Sequence, residues 1–258
     1  MRRFLLPLLM LQAILFASAS FAQEKLQMGV SVDMVPVDSS FNGQDIVIFG
    51  SIESADQPAL YRGEYDVVVE VIGAIEEAIV RKKQRIGGIW INAAAREYGG
   101  VPSYYSVLSR NELKSVSDAS VLNSMALGID NLKARQVDQT IEEFLTQGEF
   151  SRALRRIRIE EGLFSESPQA LEQLSPSLFR ATLSLPPNVP IGVHTVKAYL
   201  FKDGKLLDEI ENSFEIRKVG FERWMYDLAH EQSLLYGIMC VLLAIFTGWS
   251  ANAIFRKN

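Results

Sequence analysis

Phe179-Arg-Ala-Thr-Leu-Ser-Leu185, Pro186-Pro-Asn-Val-Pro-Ile-Gly192, Val193-His-Thr-Val-Lys-Ala-Tyr-Leu-Phe201, Lys202-Asp-Gly-Lys205 and Leu206-Leu-Asp-Glu-Ile-Glu-Asn-Ser-Phe-Glu-Ile216 read as three strands and two turns. Phe179 to Leu185 alternates apolar and polar residues, the period of a half-buried strand. The proline-rich stretch before Gly192 breaks it, and Asp203-Gly204 is a strong hairpin signal. Three strands make a poor independent core. They therefore need partners elsewhere in the chain.

Those partners lie upstream. Val30-Ser-Val-Asp-Met34 alternates, Phe41 to Asp45 is a turn, and Ile46-Val-Ile-Phe49 is apolar. Tyr65-Asp-Val-Val-Val-Glu-Val71 is β-branched, and Ser103-Tyr-Tyr-Ser-Val107 closes the block. Short strands at this spacing predict a mainly β fold, an immunoglobulin-like β-sandwich. Its first part is expected over 23–110 and its last strands over 177–218. Between them, 111–176 changes period. Val121, Met125, Ile129 and Leu132 fall at helical spacing, as do Ile141, Phe144 and Leu145 behind Thr140-x-x-Glu143, a capping-box pattern. Leu154 and Ile157 continue a third stretch, and Ser167-Pro168 reads as a cap opening a turn through Leu174. A helical insertion or cap is the expectation.

The two ends differ from the middle. Arg2 and Arg3 precede Phe4 to Phe16, apolar but for Gln12, and Ser20-Phe21-Ala22 places small residues before a cut after Ala22. This is the pattern of a secretory signal peptide over 1–22. Ser233 to Phe255 is 23 residues without a charge. At 1.5 Å per residue it spans about 34 Å, enough for a bilayer core. Arg256-Lys257 follow in a tail of 256–258. With an exported N-terminus, the positive-inside rule leaves that tail in the cytoplasm. Phe221, Trp224, Met225 and Leu228 recur at i, i+3, i+4 and i+7, predicting an amphipathic juxtamembrane helix over 219–232. Within 233–255, Gly237, Cys240, Ala244, Gly248 and Ala251 share one helix face with small side chains. Such faces pack against other membrane helices, a second copy or a partner.

Charge bounds the function. Of 26 Lys and Arg, four lie in the two ends, leaving 22 against 31 Asp and Glu between them, a net of −9. An acidic domain lacks the basic footprint of a nucleic-acid binder. Cys240 is the one cysteine, so no intramolecular disulfide forms and no thiol outside the span can act as nucleophile. The two histidines, His194 and His230, fit no HExxH pattern, and there is no G-x-S-x-G elbow. No metal, cofactor or catalytic set is therefore expected. Two basic patches remain. Arg81, Lys82, Lys83 and Arg85 precede Trp90 and Asn92; Arg152, Arg155 and Arg156 share a helix face by spacing. They could bind an anionic ligand, a lipid headgroup or an acidic partner. They could equally be a charge-protected edge strand and a solvated helix face.

Arg81 to Asn92, with its basic run before Gly88-Ile-Trp-Ile-Asn92, resembles a segment of the transmembrane-protein family of Alphaproteobacteria. Val101 to Tyr105, Phe150 to Arg156, Leu185 to Gly192, Leu235-Tyr-Gly237 and Gly248-Trp249 resemble further segments of it. The resemblance covers essentially the whole chain after Ala22. It implies an inner-membrane, periplasm-facing bacterial protein and a link to permeases of the sulfite/taurine exporter type. It implies topology rather than mechanism. The function expected is a membrane-anchored periplasmic accessory or binding domain acting on a protein partner. The alternatives are a periplasmic envelope enzyme using carboxylates and a receptor for a small anionic ligand.

Overall fold

In the computed structural model, which describes residues 24–53, 55–137 and 142–255, the alternation of Leu178–Leu185 becomes a strand with Phe179, Ala181, Leu183 and Leu185 buried and its other residues exposed. That strand is β12. Before it run β1 (Lys25–Val30), β2 (Met34–Val37), β3 (Gln44–Glu53), helix α1 (Gln57–Arg62), β4 (Tyr65–Ile72), β5 (Ile75–Ile86), β6 (Ile89–Pro102) and β7 (Tyr105–Ser109). Helices α2 (Leu113–Val116) and α3 (Ala119–Ser124), a 3-10 turn over Ile129–Asn131, β8 (Lys133–Gln136), β9 (Glu142–Phe144), α4 (Glu149–Glu160), β10 (Phe164–Pro168) and β11 (Leu171–Gln173) complete the middle. After β12 come β13 (Gly192–Lys202), β14 (Lys205–Lys218), α5 (Phe221–Glu231) and α6 (Ser233–Phe255).

The strands form three sheets, ordered β1-β3-β12-β11, β10-β7-β4-β13-β14-β2 and β5-β6-β8-β9. The first two share one apolar core, which takes Ile46, Ile48, Phe179 and Leu183 from one and Val67, Val69, Val196 and Phe214 from the other. The expected pairing of late strands with early ones is present: β12 runs antiparallel to β3 and β13 antiparallel to β4. The second sheet ends at both edges on parallel pairs, β10 with β7 and β2 with β14. The mainly β expectation with one C-terminal apolar helix holds. Immunoglobulin-like connectivity is not confirmed by this order, which adds a third sheet.

The middle segment departs from its helical reading in two places. Glu142–Phe144 is a strand, not a helix; Thr140 and Ile141 of the supposed cap lie outside the described residues. Leu145, assigned there to a helix face, is fully buried just beyond that strand, its N–H donating to the Leu132 carbonyl. Ser167-Pro168 is not a cap either: both close β10, Gln169 turns at φ 74°, and β11 follows. A proline tolerates this position because an edge strand leaves one side of its backbone unpaired. The predicted helix through Leu154 and Ile157 is α4. Val121 falls in α3, Ile129 opens the 3-10 turn, and Met125 and Leu132 are the residues that end these short turns.

Short helices and their connections cover the outer face of the second sheet. Tyr105 and Tyr199 lie beside β4 on the face of Val68 and Glu70 by register. The Gly128 N–H reaches down to the Tyr105 hydroxyl at 2.7 Å. Val116, Leu122 and Leu127 are buried there. The expected leader, 1–22, and the Arg256-Lys257 tail lie outside the described residues.

Candidate functional site

Tight turns with positive φ at both central residues favour glycine and match the twist of paired strands. Gly87 and Gly88 have φ of 61° and 90° and join β5 to β6. The two strands pair along their whole length, from Ile75 opposite Pro102 to Ile86 opposite Ile89. β8 joins only at the base, opposite Tyr98 and Gly99, where the Val137 N–H also bonds the Glu97 carbonyl. Every residue from 81 to 96 is exposed. The result is a two-stranded ribbon standing out from the third sheet. From Arg81 to the turn it extends about 20 Å at ~3.3 Å per residue. A bulge between Lys82 and Lys83, with the extra residue on β6, bends it.

This ribbon carries the first basic patch. Arg85 faces Trp90 across the strands and Lys83 faces Asn92. Arg81, Lys83 and Arg85 alternate along β5, so they share one face with Trp90 and Asn92. Lys82 points the other way and pairs with Glu149 of α4 at 2.6 Å. The reverse face near the tip carries Ile86, Ile89 and Ile91, all exposed. Trp90 is 68% exposed. The sequence contained the turn signal in Gly87-Gly88. The charged run beside it read as an edge strand, and the paired ribbon was missed.

The second patch is on α4. Arg152, Arg155 and Arg156 border one surface hollow of about 420 Å³ with Ile159 and Glu160. Arg155 is paired with Asp130 at 2.7 Å and Arg156 lies 3.7 Å from Glu160. Arg158, the next base, is largely buried and bonds Glu76 of β5, with Glu161 at 3.8 Å. It fastens α4 to the base of the ribbon. There Arg96 also lies over the Phe150 ring, 5.7 Å from its centre. The two patches therefore flank one helix but do not merge into one site.

Sequence reasoning missed a buried cluster around Glu70. Its carboxylate is 3% exposed and accepts from the Tyr105 and Tyr199 hydroxyls at 2.6 and 2.8 Å. Burial raises its pKa, opposed by both hydroxyls and by Lys197. Burial also raises both tyrosines, reinforced by the Glu70 charge. The signal was an acid, Glu70, set among the valines of Tyr65–Ile72. Nearby, a groove of about 330 Å³ is lined by Glu112, Asp130 and Glu166 among others. Glu166 accepts from the Ile129 N–H at 2.6 Å, and Asp130 holds Arg155. Two of the three carboxylates are thus already engaged in holding the fold. His194 is fully buried between Tyr104 and Phe214, and burial lowers its pKa. Its Nδ1 lies 3.2 Å from the Gly192 carbonyl, and its Nε2 has no partner. Among the described residues, no group of three or more His, Cys, Asp or Glu could hold a metal ion.

Helix α6 is long and apolar enough to cross a bilayer over Ser233–Asn252, with a mean hydropathy of 1.9 and no residue of that window buried. A core helix of this length would be covered. Gly237 and Gly248 have no atom near where a Cβ would stand.

A β-rich body bearing one exposed apolar C-terminal helix defines a membrane-associated protein. The chain belongs to the family described as "Putative transmembrane protein" (Alph_Pro_TM), whose model matches residues 25–257. No curated protein sequence matches it. Among solved structures it is similar to the sporulation control protein Spo0M of Bacillus subtilis, at 7% identity and a TM-score of 0.32. That match covers 82% of this chain and 56% of Spo0M, just over half of its length. It is also similar to AggA, the major subunit of aggregative adherence fimbriae type I of Escherichia coli, at 8% identity and a TM-score of 0.27. There the match covers 77% of this chain and 97% of AggA. Likenesses this remote carry no argument about function.

Proposed function

We propose that this chain is a membrane-tethered accessory domain that engages another membrane protein. The partner is either a permease of the sulfite/taurine exporter type or a second copy. In this reading residues 1–22 are removed on export, the β body lies in the periplasm, α6 spans the inner membrane and Arg256-Lys257 stay in the cytoplasm. The leader pattern, the uncharged span and the basic tail support that orientation.

The observation that carries the reading is α6. It is uncharged and unburied, and Gly237, Cys240, Ala244, Gly248 and Ala251 fall on one side of it. Bilayer helices gain little from hydrophobicity when they associate, so close packing over small residues drives pairing. The opposite side carries Leu235, Met239, Leu242 and Phe246, bulk suited to lipid. Replacing both Ala244 and Gly248 with Ile keeps the span apolar and blocks close approach. The double variant is expected to lose co-purification of its membrane partner, and to lose oxidative Cys240–Cys240 cross-linking if the partner is its own copy. Unchanged recovery and unchanged cross-linking would reduce α6 to an anchor.

A further inference from the structure

The β5–β6 ribbon is unlike the rest of the molecule in charge and in the placement of its apolar residues. Between Ile79 and Arg96 it holds five bases, Arg81, Lys82, Lys83, Arg85 and Arg96, and no acid, in a chain of net charge −5. Lys82 is paired with Glu149 and Arg96 covers Phe150 at the base. Arg81, Lys83 and Arg85 remain on the exposed outer face. Around the turn stand Ile86 and Ile89, ahead of the bases, with Trp90 level with Arg85 and Ile91 level with Gln84, all exposed between 39% and 68%.

The apolar side chains cluster at the turn and the bases extend from there toward the base of the ribbon. Apolar side chains occupy the tip on both faces, with the isoleucines on one and Trp90 on the other. A one-sided protein contact would need a single apolar face; a tip apolar on both faces suits immersion. The bases sit behind the tip by one, three and five residues, about 3 to 17 Å at ~3.3 Å per residue. That is the span over which long basic side chains reach phosphates while the tip lies at the acyl boundary. An indole at such a boundary is favoured, because its ring is apolar and its N–H polar.

We infer that the β5–β6 ribbon is a second membrane contact, which dips Ile86, Ile89, Trp90 and Ile91 into an anionic lipid surface and holds phosphates with Arg81, Lys83 and Arg85. The occupant is lipid rather than protein because the apolar side chains gather at the turn on both faces, the isoleucines on one and Trp90 on the other, while the bases run from that level back toward the base of the ribbon. The inference is independent of what α6 packs against. With α6 it gives the body two points of attachment and so fixes its orientation on the bilayer.

The test uses the full chain with Cys240→Ser and Ile89→Cys, labelled at residue 89 with an environment-sensitive dye. The protein is reconstituted into vesicles of phosphatidylcholine alone or of equimolar phosphatidylcholine and phosphatidylglycerol. A label at Ser184→Cys, exposed on β12, reports the body. The label at 89 is expected to shift to the blue and be quenched by lipid nitroxides in the anionic vesicles, while that at 184 stays water-like. Each base near an anionic surface strengthens partition roughly fivefold. Replacing Arg81, Lys83 and Arg85 together with Gln should therefore shift the docked-to-free ratio on the order of a hundredfold toward free. These residues are exposed, so the triple variant should keep its fold, which the unchanged signal at 184 checks. A water-like label at 89 in both vesicle types would overturn the inference and leave the ribbon to a protein partner. A blue shift that the triple variant retains would overturn it as well.

Discussion

Glu70 has two tyrosine hydroxyls donating into one buried carboxylate, so its replacement leaves donors without an equal acceptor. A buried group stripped of its partner costs about 1–3 kcal/mol. Glu70→Gln is expected to destabilise the detergent-solubilised protein by about that amount in urea unfolding. The pH dependence has a definite sign. The folded pKa of Glu70 is raised above its ordinary 4.5, chiefly by burial. A carboxyl with a raised folded pKa binds more protons folded than unfolded. Its contribution is fully present below the ordinary value and is lost as pH rises through the folded one. The wild-type protein should therefore lose stability relative to Glu70→Gln as pH rises. The gap between them should be wider at about pH 4 than at about pH 8. A gap that widened with pH would show that the hydrogen bonds, not burial, dominate at Glu70.

The ribbon shows what a sequence yields at the scale of one element and what it withholds. β12 and the β13–β14 hairpin were legible, because strict alternation and Asp203-Gly204 are local signals. α4 was legible from the spacing of Leu154 and Ile157. β9 to β11 were not. Their apolar residues mimic a helical period over too few positions; β10 owes its strand state to β7, far upstream, and β9 and β11 are too short for alternation to show, pairing with the adjacent β8 and β12. Of the candidate site, the residues Arg81 to Asn92 were found. Their sharing of a face was not, since that depends on pairing across Gly87-Gly88. Both glycines are in the left-handed region, which costs other residues about 1–2 kcal/mol each. Replacing the pair with Ala-Val should fray the tip, while Asn-Gly should preserve it. Trypsin cleavage after Arg85 reads the difference: faster in the Ala-Val variant, near wild type in the Asn-Gly one. Equal rates in all three would mean that the turn does not hold the ribbon together.

Across the whole molecule, the chain closes its core late. β3 receives β12 and β4 receives β13, so neither main sheet is complete until residues beyond 178 have been made. The core residues Phe179, Leu183, Val196 and Phe214 come from this last third, and the early strands contribute the surfaces that they cover. α6 contributes nothing to that core over its apolar window. The two ends of the sequence therefore have opposite consequences when cut. A fragment of residues 23–115 retains β1 to β7 but leaves the apolar faces of β3 and β4 uncovered, and two sheets lacking their shared partners cannot bury them. It is expected to unfold without a cooperative transition. Deleting 220–258 removes α5 and α6, of which the apolar window of α6 packs on nothing in the body, so the rest should no longer behave as an integral membrane protein and should melt sharply in solution. Calorimetry on both fragments separates the alternatives. A sharp transition in 23–115 would mean that the early strands form a domain of their own. Loss of the transition in the chain ending at 219 would mean that α5 or α6 supports the β body after all.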